Sequence, residues 1–497
     1  MPKLSHRVLV LFAFLFVFGI RVYFAAQHGT FSSDESYYVL RQAEHIKATL
    51  TPIYNDPLSY GGKFVSFLPT YHYIIAGLSF FGSNVLKLFS ALVGASIVVV
   101  AYLIAADITK HKYLAVLGGL FAGLVPAFLK TSLNSLTPKV LTLVLFFVCV
   151  YYVIKIEKAR GGFSLLLLFS VLLSLVSPIA LLLVLVLWVY SGLLKLQKLK
   201  LRSKSFEYML FLTFLTITFN QLALSKLGLE WGILGLISGV PSSLLKQELL
   251  GLSWVGIISS INAILLLLGV YGAYIAVQKW SEKREVSLLL SVCIVFVVAV
   301  MLRFVDLTQA VSYLGVTFAI MSVYTFGELV AYIKKLKLRL PGGLLTMLIL
   351  TLIALPVLGF GLYEANSQAE KAIPNYEIRG LLWLANNSEE DVCVLAPLEL
   401  GHLVTYFAKR RVIADTNFIN SKDIEERLRD IALAYTTPYE TNAIEIFDKY
   451  GVGYIFLSPR VKNRFGIDKP SYVADAKCFE MVYNQTVQIY KVKCTLK

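Results

Sequence analysis

The sequence predicts a polytopic α-helical membrane protein of about eleven spans, carrying a mixed α/β domain outside the membrane at its C-terminal end. Three observations predict this. The composition is 57% hydrophobic with a mean hydropathy of +0.71, above the roughly half-apolar usage of soluble domains. The apolar stretches are concentrated ahead of Tyr363, whereas 364–497 reads as a soluble domain. The formal charge of +15 is confined to one set of loops, in which nineteen Lys or Arg stand against four Asp or Glu. Positive charge is retained on the cytoplasmic side of spans, so this excess is a topology signal. It leaves a nucleic-acid partner without support.

Residues 8–26 are long enough to cross the hydrocarbon, which takes about 20 apolar residues. They exceed the roughly 7 to 15 apolar residues of a signal peptide, so the first helix is read as uncleaved. Arg21, near its outer end, reads either as snorkelling to the interface or as a contact for a lipid phosphate. After a polar external loop, 63–81 is apolar but interrupted by Pro69 and His72, and is expected as an interfacial or re-entrant element. Spans follow at 85–106, 113–129 and 140–154. Residues 163–194 are too long for one span and short for two, with Ser177-Pro178 read as the turn. Residues 206–224 cross outward, 226–254 are expected as a mixed external segment, and 255–277 return. Then 286–302 and 310–333 form an external hairpin around Arg303 and Asp306, and 344–362 deliver the last domain outside. The chain thus divides into a membrane domain, 1–363, and an extracytoplasmic domain, 364–497, with the N-terminus cytoplasmic in a multi-pass cell-membrane protein.

In the external domain, 376–385 and 443–450 have helical spacing, the latter closed by Gly451. Residues 424–434 are amphipathic, with Glu425, Glu426, Arg427 and Arg429 on the wet face. Strands are expected at 392–396 and 454–457, and a hairpin from 479–483 and 487–492 around Asn484-Gln485-Thr486. Cys478 and Cys494 lie almost symmetrically about that turn, close enough on neighbouring strands for a disulfide. The six His show no metal-ligand spacing, and the glycines belong to turns.

The polar loop is the chemically dense stretch. Asp34, Glu35, Glu44 and Asp56 interleave there with Tyr37, Tyr38, Tyr54, Tyr60, Tyr71 and His72. Ser33 capping a helix with Glu35 in its first turn is the plain structural reading of the Asp34-Glu35 pair. Two adjacent carboxylates at a membrane surface also suit acid-base work.

The run from Asp34-Glu35-Ser36-Tyr37-Tyr38 to Glu44, with Asp56-Pro57-Leu58-Ser59-Tyr60 and Leu68-Pro69-Thr70-Tyr71, resembles the first external loop of the catalytic subunit of archaeal oligosaccharyltransferases. The Asp-Glu pair is also similar to that of protein O-mannosyltransferases and aminoarabinose transferases. All belong to the GT-C class of membrane glycosyltransferases. Pro397-Leu398-Glu399-Leu400-Gly401-His402 and Lys409 to Thr416 resemble the oligosaccharyltransferase segment that holds a Trp-Trp-Asp-Tyr-Gly motif. Arg303-Phe304 resembles the family's Arg facing the donor diphosphate.

The resemblance implies a glycosyltransferase that moves a sugar from a polyprenyl-phosphate or polyprenyl-diphosphate donor to a protein, lipid or glycan acceptor on the external face. Asp34 or Glu35 is the catalytic candidate: the Ser36-Tyr37-Tyr38 alignment favours Glu35, the mannosyltransferase-like pair Asp34. Arg303, Lys130, Lys139 and Arg21 are the donor-phosphate candidates, and Tyr37, Tyr38, His72, Glu399 and His402 the acceptor-side ones. Asp34 and Glu35 are also the implied ligands of a divalent cation, Mg or Mn. Two departures bear on this. Only Gly401, and an acid in Glu399, survive from Trp-Trp-Asp-Tyr-Gly, and 130–139, where a second acidic motif is expected, has no carboxylate. The alternatives are therefore transfer of an oligosaccharide to Asn, and a catalytically silent homologue that binds lipid-linked sugar or scaffolds an assembly.

Overall fold

The computed structural model describes residues 5–496 apart from 66, 110, 159–160, 200, 238–253, 279–283, 336–341, 418–420 and 422. Among the described residues, six helical stretches are long and apolar enough to cross a bilayer: His6–Ala26, Ser83–Thr109, Pro138–Glu157, Arg284–Met301, Leu307–Lys335 and Gly343–Asn387. Lys112–Gly123 and Pro126–Ser132, bent by 49° at their break, make a seventh if taken together. Phe163–Val176, Ala180–Leu196 and Ala263–Gln278 are shorter apolar helices, and Ser203–Ile237 is a 35-residue helix. The expected polytopic helical fold with a C-terminal sheet is what the chain adopts.

The first helix shows how the bundle is built. Val10, Ala13, Val17, Arg21 and Phe24 recur every three or four residues and are buried, whereas Leu11, Phe12, Leu15 and Phe16 face outward. An apolar outer stripe suits lipid, and the inner stripe packs on Ser83–Thr109. Small residues let backbones approach, as is usual between membrane helices. A Cβ on Gly272 would lie 2.2 Å from the Met321 carbonyl oxygen, and one on Gly119 would lie 2.5 Å from that of Val98.

Breaks fall at identifiable residues. Pro126 and Pro138 each open a helix, where the missing N–H costs no bond. The expected turn at Ser177-Pro178 separates two helices. Residues 255–277 are instead broken at Asn262, at φ +79°, into Trp254–Ile261 and Ala263–Gln278. The segment expected as external at 226–254 begins as helix through Ile237, and 238–253 lie outside the described residues. The last membrane helix, Gly342–Glu370, runs past 363, and the next begins at Asn375.

Beyond it a five-stranded sheet has the order Arg411–Val412, Cys393–Leu395, Val452–Leu457, Gln488–Val492, Phe479–Asn484. The first three strands are parallel, and the last two form the expected antiparallel hairpin. Cys478 and Cys494 are disulfide-bonded across its open end with a Cα separation of 4.8 Å.

The polar loop is buried against this domain. Phe31, Tyr37, Tyr38, Val39, Ile46, Tyr60 and Tyr71 share one core with Leu395, Leu400, Leu403 and Ile455. Backbone bonds join the two, Ile373 N–H to the Phe31 oxygen at 3.3 Å and Val412 N–H to that of Leu58 at 3.0 Å. Asp56 pairs with Arg41, and Glu44 accepts from the Tyr406 hydroxyl at 2.6 Å, so both acids serve packing.

Candidate active site

Asp34 and Glu35 are neighbours in sequence but serve opposite sides. The loop helix starts at Glu35, and its first bonds run to the backbone oxygens of Ser33 and Asp34. The expected Ser33 side-chain cap is absent. Asp34 makes no cap for its own helix either, because its carboxylate is engaged by the external domain. It accepts the backbone N–H groups of His402 at 3.2 Å and Leu403 at 2.9 Å. Those donors belong to the start of the helical turn that follows Leu398–Leu400, where free N–H groups favour an anion. Burial pushes the Asp34 carboxyl well above the usual carboxylate range, and the two donors only partly pull it back.

Glu35 turns towards the helix ends. Its Oε1 accepts from the Thr137 hydroxyl at 3.0 Å, and Oε2 lies 3.1 Å from the Lys139 ammonium. The Leu136 N–H donates to Ser36 Oγ at 2.9 Å, fixing the register. Thr137 is also the N-cap of Pro138–Glu157, accepting from the Lys139 N–H at 3.3 Å. One hydroxyl thus starts a membrane helix and holds a carboxylate.

The same ammonium lies 3.6 Å from Asp306 Oδ2. Asp306 caps Leu307–Lys335, its Oδ1 accepting the Gln309 N–H at 2.6 Å. Just upstream, Phe304 N–H bonds the Ala299 oxygen at 2.9 Å and Arg303 N–H that of Val300 at 3.0 Å, with Arg303 at φ +61°. This is a Schellman closure with Arg at the left-handed position where glycine is usual. Among the described residues the Arg303 guanidinium has no hydrogen bond or ion pair. Side chains of Glu35, Lys139 and Asp306 keep 28%, 35% and 28% of their exposure, so a substrate can reach them.

As arranged, these groups do not fit a divalent cation. Mg²⁺ takes octahedral oxygen ligands at about 2.0–2.1 Å, whereas the atom between Glu35 and Asp306 is an ammonium nitrogen with no lone pair. A divalent ion about 4 Å from that ammonium would be repelled by about 8 kcal/mol at an effective dielectric of about 20. Both Asp34 carboxylate oxygens are already taken by the His402 and Leu403 N–H groups. The metal-type cluster found among the described residues, Glu440, Asp475 and Cys478, includes a sulfur already held in the disulfide.

The remaining candidates lie elsewhere or are otherwise engaged. Arg21 does not snorkel. It is 1% exposed, donates to Ser132 Oγ at 2.8 Å and sits 4.8 Å over the Phe128 ring, because it falls on the inward stripe of its helix. Lys130 is exposed and has no ion pair among the described residues. Lys139, read from sequence as a free phosphate cation, is taken up by two carboxylates. Tyr37 accepts the Phe31 N–H at 3.2 Å and packs on Tyr406 and Phe407. Tyr38 packs on His72 and His402. The His72 ring is buried in that aromatic cluster, which pushes its pKa down to about 3. His402 is also buried, its Nε2 3.0 Å from Thr416 Oγ1. Glu399 pairs with Arg464 at the surface.

Sequence reading missed Thr137 and Asp306 as site residues, although both sit just before helices as N-cap residue types. It also missed Asp415, buried, whose Oδ2 accepts the Ser59 hydroxyl at 2.5 Å. A groove of about 760 Å³ lined by Arg41, His45, Tyr54 and Tyr73 opens further along the loop helix. It does not include Glu35, so the candidate site is defined by charge and bonding rather than by cavity size.

No protein-family model matches the chain, and no curated protein matches it by sequence. The fold resembles that of several solved membrane glycosyltransferases. Archaeal oligosaccharyltransferase AglB from Archaeoglobus fulgidus, solved with an inhibitory peptide and a dolichol-phosphate, superimposes with a TM-score of 0.69 at 12% identity, covering 91% of this chain and 69% of that one. ArnT from Cupriavidus metallidurans, bound to undecaprenyl phosphate, gives 0.51 at 12% identity, covering 97% of each chain. Arabinofuranosyltransferase AftD from Mycobacteria gives 0.55 at 14% identity, covering 99% of this chain and 40% of that one.

Proposed function

We propose that this chain is a GT-C glycosyltransferase that transfers a sugar from a polyprenyl-phosphate or polyprenyl-diphosphate donor on the external face, with Glu35 as the reacting carboxylate. The observation that carries the reading is Glu35 held by the buried Thr137 and by Lys139, with Glu35, Lys139 and Asp306 reachable from solvent and Arg303, without a hydrogen bond or ion pair among the described residues, three positions before Asp306. In the transfer, the acceptor O–H or N–H attacks the sugar's anomeric carbon and its proton passes to Glu35. The bond from that carbon to the lipid phosphate oxygen breaks, the electron pair leaves on the phosphate, and Arg303 neutralises it. Thr137 and Lys139 orient Glu35. Asp34 clamps the external domain to the loop.

The likeness to proteins solved with dolichol-phosphate and undecaprenyl phosphate supports a polyprenyl donor, and the loop charge bias supports a cytoplasmic N-terminus with 364–497 outside. Oligosaccharyl transfer to Asn is the narrower reading, favoured by the likeness to AglB solved with a peptide. Purified chain in proteoliposomes, offered a labelled panel of polyprenyl-linked sugars with peptide, lipid and glycan acceptors, is expected to release label from one donor class. If donors bind but none turns over, the silent-homologue reading replaces this one.

A further inference from the structure

We propose that the Lys139 ammonium does the work of a divalent ion between Glu35 and Asp306, so that the site is built to run without bound metal. In carboxylate-lined transfer sites a hard cation serves to hold acidic side chains together and to fix their orientation. Here that task falls to a side chain. The ammonium bridges Glu35 at 3.1 Å and Asp306 at 3.6 Å, and thereby ties the loop helix to the ends of two membrane helices. The bridge is built in by two N-caps. Thr137 places Lys139 at the second position of its helix and bonds the other Glu35 oxygen, while Asp306 caps Leu307–Lys335 and offers its second oxygen. Because the lysine is covalently attached, this cation cannot be lost by chelation.

Lys139 is thus a positioning residue that acts through Glu35. The kinetic half of the proposal rests on the transfer reading above, and the ion-binding half does not.

The test is a Mn²⁺ titration of the detergent-purified full chain, followed by electron paramagnetic resonance. The wild type is expected to bind no stoichiometric Mn²⁺, whereas Lys139→Glu, which puts three carboxylates together, gains one Mn²⁺ per chain at least about tenfold tighter. Glu35→Gln in that background removes the gain. Transfer by the wild type is expected to be unchanged by EDTA. Lys139→Arg should keep chelator-insensitive turnover within about tenfold and Lys139→Met lose it, with a shifted pH profile for the residual rate. One Mn²⁺ per wild-type chain that Glu35→Gln abolishes overturns the proposal, as does turnover that EDTA stops and Mg²⁺ or Mn²⁺ restores. The Mn²⁺ arm needs no turnover, so it separates failure of this proposal from failure of the transferase reading.

Discussion

Replacing Arg303 by glycine separates what its backbone costs from what its side chain does. Arg303 sits at φ +61° and its N–H closes the Arg284–Met301 helix. A residue with a Cβ in that conformation costs roughly 1–2 kcal/mol, while glycine adds roughly 0.5–1 kcal/mol of unfolded-chain entropy. Arg303→Gly is therefore expected to leave stability unchanged or raise it by up to about 1.5 kcal/mol, with both closing bonds kept. Arg303→Ala retains the strain and should melt like the wild type. Both should lose the charged hydrogen bond to the leaving phosphate, worth about 1.5–3 kcal/mol. That corresponds to a fall of roughly 10- to 150-fold in kcat/KM for the lipid-linked donor. Thermal melts in detergent read the first effect, and initial rates over a donor series read the second. A glycine variant that melts well below the wild type, or one that transfers at the wild-type rate, refutes the reasoning.

Three further outcomes follow from the site and the external domain. Asp34 is raised in the folded state by burial, so its contribution is fully present below the unfolded pKa of about 3.9 and is lost as pH rises through the raised value. The stability of the wild type relative to Asp34→Asn should accordingly fall on going from acid to neutral pH, in paired melts. His72 is depressed to about 3, so stability is lost as pH falls from about 6.5 towards 3. His72→Phe should flatten that slope. Removing the disulfide with Cys478→Ser and Cys494→Ser, 16 residues apart, should cost about 3 kcal/mol in the unfolding of the external domain. Non-reducing mass mapping of the wild type should recover the pair as one cross-linked peptide.

Much of the fold was legible because lipid imposes length and polarity. The helix over 8–26 and the break at Ser177-Pro178 come from apolar run lengths and one turn signal. The hairpin disulfide was readable for a similar reason, since two Cys flank a short turn symmetrically. The site was legible only in part. Adjacent acids mark a loop, but the direction each one faces depends on partners a hundred or more residues away. Asp34 meets His402 and Leu403, and Glu35 meets Thr137 and Lys139. Arg21 misled because its distance from the helix end suggested the interface, while its place on the inward stripe buries it against Ser132. Lys139 looked like a free cation because Asp306 lies far off in sequence.

The division of labour between the two acids is tested most directly by single-turnover transfer from the polyprenyl-linked donor identified in the panel, with wild type, Glu35→Gln and Asp34→Asn compared at equal folded protein. Glu35→Gln is expected to lower the rate by about 10²- to 10⁴-fold, as the loss of a positioned acid or base does. Asp34→Asn keeps one oxygen for one of the two N–H groups, of His402 at Oδ2 or Leu403 at Oδ1, and gives up the other bond, and because Asp34 does not touch the reacting atoms it should lower the rate less than about tenfold. The reverse order, with Asp34→Asn inactive and Glu35→Gln near the wild type, would contradict Glu35 as the reacting carboxylate.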